Sequence, residues 1–278
     1  MNITGQSIRN QLQTCYDVRE ASCLARIVCC EMLGQSSTDY YIGKDMVLSG
    51  NMQHEYEDIM ARLLKFEPIQ YIQGYAHFAG RCFKVTPAVL IPRQETEELV
   101  ERMVQEVPRG AVVLDIGTGS GCIAVTLSKE RPDTKVTAMD VSPEALAVAQ
   151  LNNDALQASV RFVHQDVLTY EVDEKEQIDV IVSNPPYVLE RERLVMERNV
   201  LDWEPSLALF VSDSDPLLFY RRIAMLGRDL LRPGGKIYFE INRDFGAATV
   251  DMLAQMGYVN PCVWQDISHN DRFVTAEK

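Results

Sequence analysis

Four short segments of the 278-residue chain hold residue types that could do chemistry. In Asp115-Ile116-Gly117-Thr118-Gly119-Ser120-Gly121, three glycines alternate behind an apolar run. A backbone without Cβ atoms can bend tightly there and approach a ligand closely. Asp115 is acceptor-only when ionised and suits a cationic group on a ligand. Asp140 ends a second apolar stretch and can accept from two neighbouring hydroxyls. Asp166, with Val167 beside it, follows a third. Asn184-Pro185-Pro186-Tyr187 ends the apolar run over 178–183. Each segment also has a plainer use. The aspartates can cap turns, and a proline pair can simply stop a strand, because proline fixes the backbone and lacks a donor.

The elements that must hold these segments alternate from about residue 93 onward. The pattern predicts an acidic amphipathic helix over 94–106, a strand over 111–116 and a helix over 122–130. A strand over 135–140 precedes a helix over 143–152; strands over 160–164 and 178–183 follow. A helix over 216–231 leads through Pro233-Gly234-Gly235 to a strand over 236–241. A helix over 246–256 stops at Gly257, and short strands fall near 258–264 and 271–276. Such alternation makes an α/β fold: a mostly parallel sheet with helices on both faces. Ligands in these sheets bind beyond the carboxyl ends of the strands, near the switch point. The loops after Ile116, Asp140, His164 and Ser183 therefore belong to one expected site.

Residues 1 to about 70 read as a small helical bundle. The stretch 22–33 is apolar nearly all round, and Ile59, Met60, Leu63 and Leu64 recur at helical spacing. Gly34 and Gly50 mark breaks. Aromatic and β-branched residues then alternate with Gly and polar residues over 75–85, which predicts a hairpin. Pro87 and Pro92 interrupt the chain after it. The expected organisation is a helical domain over 1–72, a β-hairpin linker over 73–92 and the α/β domain over 93–278.

Composition narrows the function. The chain is 46% hydrophobic and 24% charged, ordinary values for a globular protein. No apolar run reaches the roughly 20 residues that span a bilayer, and the first residues do not read as a signal peptide. A cytoplasmic, membrane-free protein is the expectation. The formal net charge of -13 opposes binding to phosphate backbones and favours a basic partner. Seven irregularly spaced cysteines and four scattered histidines predict reduced thiols and no metal site.

The third glycine comes one residue earlier than in the dinucleotide fingerprint. This spacing resembles the Asp/Glu-x-Gly-x-Gly-x-Gly loop of Rossmann-like methyltransferases, which cradles the methionine part of S-adenosylmethionine. The resemblance implies Asp140 on the ribose hydroxyls, a use that NAD sites share. It implies Asp166 at the adenine amino group and Val167 along the adenine pocket. Asn184-Pro185-Pro186-Tyr187 resembles the tetrapeptide of amide and exocyclic-amine N-methyltransferases. An amide nitrogen is a poor nucleophile because its lone pair is delocalised. The Asn184 side-chain oxygen and the Pro185 carbonyl can hold its two N–H bonds, favour pyramidalisation and aim the lone pair at the methyl group. Pro186 helps to hold that carbonyl, Tyr187 can stack on the planar substrate, and Asn184 borders cofactor and substrate alike. No strong general base is required.

Over nearly its whole length the chain resembles the HemK/PrmC family of N5-glutamine methyltransferases of peptide chain release factors. The resemblance runs through Pro68-Ile69-Gln70-Tyr71-Ile72-Gln73-Gly74, Phe78-Ala79-Gly80 and Val89-Leu90-Ile91-Pro92-Arg93-Gln94-Glu95-Thr96-Glu97-Glu98-Leu99. It includes the glycine loop, the tetrapeptide, Glu204-Pro205, Ala208-Leu209, Asp266 and Asp271-Arg272. It implies a Rossmann-like class I methyltransferase domain with a seven-stranded sheet. It also implies methylation of the Gly-Gly-Gln glutamine of class 1 release factors, with S-adenosylhomocysteine as product. The N-terminal domain would dock the release factor, and a monomer is expected. Ribosomal-protein glutamine methyltransferases and adenine-N6 methyltransferases share the core and remain alternatives. Gln94, Asn242-Arg243-Asp244 and His269 depart from the family's usual residues.

Overall fold

A computed structural model describes residues 1–171 and 177–278. Seven strands make one sheet: β1 (Val112–Ile116), β2 (Lys135–Asp140), β3 (Val160–His164), β4 (Ile178–Ser183), β5 (Leu231–Glu240), β6 (Val259–Gln265) and β7 (Asp271–Glu277). Their spatial order is 3-2-1-4-5-7-6. Strands β1 to β5 run parallel, and β7 pairs antiparallel with both β5 and β6. The order reverses between β1 and β4, so a crevice opens past their carboxyl ends.

The sequence pattern explains the layers. Side chains alternate between the two faces of a strand. Leu114, Ile181, Ile237 and Phe239 join one buried cluster with Tyr220, Ile223 and Leu230 of helix Leu218–Leu230. Val113, Val180, Val182 and Tyr238 join the other, with Leu99 and Met103 of helix Gln94–Glu106 and Ile123 and Leu127 of helix Cys122–Glu130. Ser142 caps helix Pro143–Ala155 by accepting from Ala145 N, with Pro143 in its first turn. The edge strand β6 carries Pro261, which a central strand would not tolerate, and its register slips between Val259 and Cys262.

The chain forms two compact units, Met1–Gly74 with Glu197–Trp203, and Tyr75–Met196 with Glu204–Lys278. The first contains helices Gly5–Leu12, Val18–Arg26, Ser37–Tyr41, Gly50–Leu63 and Ile69–Gln73. The apolar stretch foreseen as one helix begins at Val18 and continues from Ile27 to Met32 as a π-helix. Gly50 opens its helix instead of separating two. Ile8, Leu12, Ala25, Val28, Ile59 and Leu63 fill this unit's core.

Two boundaries differ from the sequence expectation. The hairpin, Tyr75–Phe78 with Arg81–Lys84, belongs to the α/β unit from Tyr75 on, because Phe78 and Phe83 are buried in its core. Its turn residues Ala79 and Gly80 have φ of 48° and 71°, the signature of a tight hairpin turn. Conversely, 197–203 joins the helical unit. Trp203 Nε1 donates to the Lys65 carbonyl at 3.1 Å, and the Arg198 guanidinium lies 4.2 Å from the Phe66 ring centroid. All seven cysteines are free. Among the described residues no helix is long and apolar enough to cross a membrane, and no cluster of metal-ligating side chains occurs.

Candidate active site

A cavity of about 460 Å³ lies past the carboxyl ends of β1, β2 and β4. The loop Gly117–Gly121 forms one wall. All three glycines are left-handed, with φ of 75°, 55° and 80°. A Cβ on Gly117 or Gly119 would meet open space, so the backbone there is bare toward the cavity. A Cβ on Gly121 would meet Ala149 Cβ at 3.2 Å; that glycine also permits close helix packing. The loop is tied to β2. Gly117 N and Thr118 N donate to the Met139 carbonyl at 2.9 and 3.1 Å, and Gly119 N donates to Asp140 Oδ2 at 2.8 Å.

Asp140 lines the cavity, and Ser142 N donates to its Oδ1 at 2.9 Å. Each carboxylate oxygen has one backbone donor and keeps accepting capacity. Asp166 and Val167 line the same cavity, beside Leu168, Phe219 and Ile223. Leu168 N donates to Asp166 Oδ1 at 2.8 Å, and Arg222 Nε pins the Val167 carbonyl at 2.9 Å. Asp115 sits behind the loop, wholly buried, and is not among the lining residues. Its Oδ2 accepts from Thr118 Oγ1 at 2.6 Å. Its Oδ1 has no hydrogen bond of normal geometry, although the Ala124 amide nearby favours the charged form. Burial, with Asp140 adding to it, pushes this carboxyl up to about 7. Cys122 also lines the cavity, and burial pushes its thiol up to about 12, so it is no nucleophile.

Asn184, Pro185 and Pro186 line the same cavity. Ser183 Oγ donates to the Ile116 carbonyl at 2.7 Å, joining the ends of β4 and β1. Tyr187 is different: it is not among the lining residues. Its ring packs against the sheet core, and its hydroxyl donates to Glu240 Oε1 at 3.1 Å. Its ring is thus held by the sheet at its hydroxyl end, where the buried carboxylate at the end of β5 needs a donor.

Four further residues belong to the setting. Arg93 is the one cation lining the cavity among the described residues. It donates to Glu204 Oε1 at 2.6 Å, and Ile91 N donates to Oε2 at 3.1 Å. Glu240 and Asn242 hold Tyr187 from the end of β5. Arg93 and Glu204 stood out only through the family resemblance. For Glu240 a signal was present: a carboxylate in the otherwise apolar run Tyr238-Phe239-Glu240-Ile241 requires partners.

The chain is similar to known proteins over its whole length. Residues 6–74 match the PrmC N-terminal domain, and residues 94–201 match the methyltransferase small domain. The chain is 54% identical, over all of both chains, to the release factor glutamine methyltransferase of Bacteroides thetaiotaomicron. It is 40% identical to that of Flavobacterium psychrophilum, over 95% of this chain and 94% of the other. A methyltransferase crystal structure from Pyrococcus furiosus shares the fold, with a TM-score of 0.53 at 18% identity over 80% of this chain and 98% of that one. With the full-length likeness and the two-domain match, the chain belongs to the release factor glutamine methyltransferase family.

Proposed function

We propose that this chain transfers a methyl group from S-adenosylmethionine to the side-chain amide nitrogen (N5) of the Gly-Gly-Gln glutamine of class 1 peptide chain release factors. The observation that carries this reading is the meeting of Asn184 and Pro185 with the glycine loop and Asp140 in one cavity. S-adenosylmethionine fits the residues present. The bare backbone at Gly117 and Gly119 leaves room for its methionine part, and Asp140 retains acceptors for two ribose hydroxyls. Val167, Leu168 and Ile223 offer apolar contact to the adenine, and Asp166 lines the same cavity. Arg93 is suited to the cofactor's carboxylate by its charge.

S-adenosylmethionine supplies a methyl group already activated on a sulfonium. The protein's task is then mainly positioning, which can lower a barrier by several kcal/mol, roughly 7–11 in favourable cases. Asn184 Oδ1 and the Pro185 carbonyl accept the two amide hydrogens and hold the nitrogen with its lone pair toward the methyl group. The prolines keep that carbonyl fixed before substrate arrives. The amide proton leaves after transfer, so no side chain needs to remove it beforehand. The apolar lining limits water in the cavity and strengthens the polar contacts inside.

The helical unit would dock the release factor, and the enzyme would act as a monomer in the cytoplasm. Labelled cofactor offered with release factor, ribosomal protein and DNA in separate reactions tests the reading. Label is expected on the release factor alone and is lost when its glutamine is changed. Equal or greater labelling of ribosomal protein or DNA would overturn it.

A further inference from the structure

The tetrapeptide ends with Tyr187, whose hydroxyl is bound to Glu240. Strand β5 lies beside β4, with Phe239 opposite Ser183. The residues that follow on the two strands, Glu240–Asn242 and Asn184–Tyr187, therefore leave the sheet side by side. Glu240 is wholly buried. Its Oε1 accepts from Tyr187 Oη at 3.1 Å and its Oε2 from Thr96 Oγ1 at 2.7 Å. Thr96 itself lines the cavity. Tyr220 Oη donates to the Glu240 backbone carbonyl at 3.2 Å. Two residues on, Asn242 is 8% exposed. Its Nδ2 donates to the Tyr187 carbonyl at 3.2 Å and to Glu192 Oε2 at 3.1 Å. Glu192 Oε2 also accepts from Leu189 N at 2.6 Å, which extends the hold to the residues after the tetrapeptide.

Tyr187 is thus gripped at both ends, by hydroxyl and by carbonyl, from one strand end. Ser183 is fixed on the other side by the sheet and by its bond to Ile116. Between these two anchors stand only Asn184 and two prolines, whose φ angles are already set. Little freedom remains for the Pro185 carbonyl or for the backbone that carries the Asn184 side chain.

We propose that Glu240 and Asn242 are positioning residues that clamp Tyr187, and through it fix the pair of acceptors Asn184 and Pro185. The proposal rests on the acceptor role given to that pair above. Tyr187 then acts as a strut and not as a stacking surface.

Tyr187→Phe separates the two roles, because it keeps the aromatic face and removes only the hydroxyl. Single-turnover methylation of release factor, cofactor binding by calorimetry and melting temperature would be measured for Y187F, E240Q, the double variant Y187F/E240Q and N242A. A glutamine at 240 keeps the bulk but replaces the carboxylate that accepts from Tyr187 and Thr96 with a neutral amide, which weakens the hold on both hydroxyls. Y187F and N242A should each slow methyl transfer by roughly tenfold, below the ~10²-fold cost of a 1 Å misplacement. Cofactor affinity should stay within about twofold, because the Asp140 and glycine-loop contacts are untouched. Losses in Y187F and E240Q should be less than additive in the double variant, since the Tyr187–Glu240 bond is common to both. A wild-type rate in Y187F, or additive losses in the double variant, would overturn the clamp. Asn184→Ala serves as the control. If it is inactive while Y187F and N242A are unimpaired, only the clamp falls. If it is fully active, the acceptor reading itself falls.

Discussion

Two residues bear the sharpest chemical expectations. Asp115 is held up to about 7 by burial, above its ordinary 3.8. Through that window the folded protein keeps a proton that the unfolded chain has released. Its contribution to stability therefore falls as pH rises from about 4 to about 7 in the free enzyme. Thr118 and the Ala124 amide favour the anion, and Asp140 opposes it. A bound cation beside the loop would favour the ionised form, so cofactor binding is expected to release a proton at slightly acid pH. Its affinity should rise with pH and flatten above about 7. The binding enthalpy measured in buffers of different ionisation enthalpy should differ accordingly, and Asp115→Asn should abolish the difference. Asn184 offers a second test. Asn184→Ala removes one preorganised contact at the reacting centre and should lower single-turnover methylation by roughly 10²–10³. Asn184→Asp keeps an acceptor in place and should retain more activity than Ala. A strand-capping role would instead lower the melting temperature of both, with turnover otherwise intact.

At the scale of elements, much was legible because the determinants are local. The apolar runs that became β1 and β4 are buried on both faces, as central parallel strands require. The glycine loop was readable because positive φ angles at alternate positions are a demand that sequence shows directly. Gly119→Val should test it. At φ of 55° a β-branched residue is strained by about 1–3 kcal/mol, and its side chain would enter open cavity space. Calorimetry should show cofactor binding lost while the fold persists; unchanged binding would contradict the assignment. The hold on the Tyr187 hydroxyl was not legible. It depends on Glu240, a partner on another strand, and such a pairing leaves no periodic trace. The hold of Trp203 on Lys65 escaped for the same reason: helix Arg198–Leu201 is too short to carry a pattern.

At the scale of the molecule, the cavity lies within one of the two units. Every residue lining the cavity lies in Tyr75–Met196 or Glu204–Lys278, and none in the helical unit. The helical unit has its own core, including Ile8, Leu12, Val28, Ile59 and Leu63, and does not need the sheet to bury them. The chain carries a net charge of -13, so a docking surface on it would favour a basic face on the partner. Removing 1–74 therefore separates the two tasks. The remaining chain should bind S-adenosylmethionine with an affinity within about twofold of the full chain, since the cavity is complete. Methylation of intact release factor should fall by roughly tenfold or more in kcat/KM, chiefly through KM, equivalent to about 1.4 kcal/mol of lost association. Trp203→Ala in the full chain guards against a trivial outcome, because truncation also strips 197–203 of Lys65 and Phe66. If that single change alone reproduces the whole loss, ordering of 197–203 matters and docking by the helices does not. A well-folded truncated protein that methylates release factor at the full rate would refute the docking role outright.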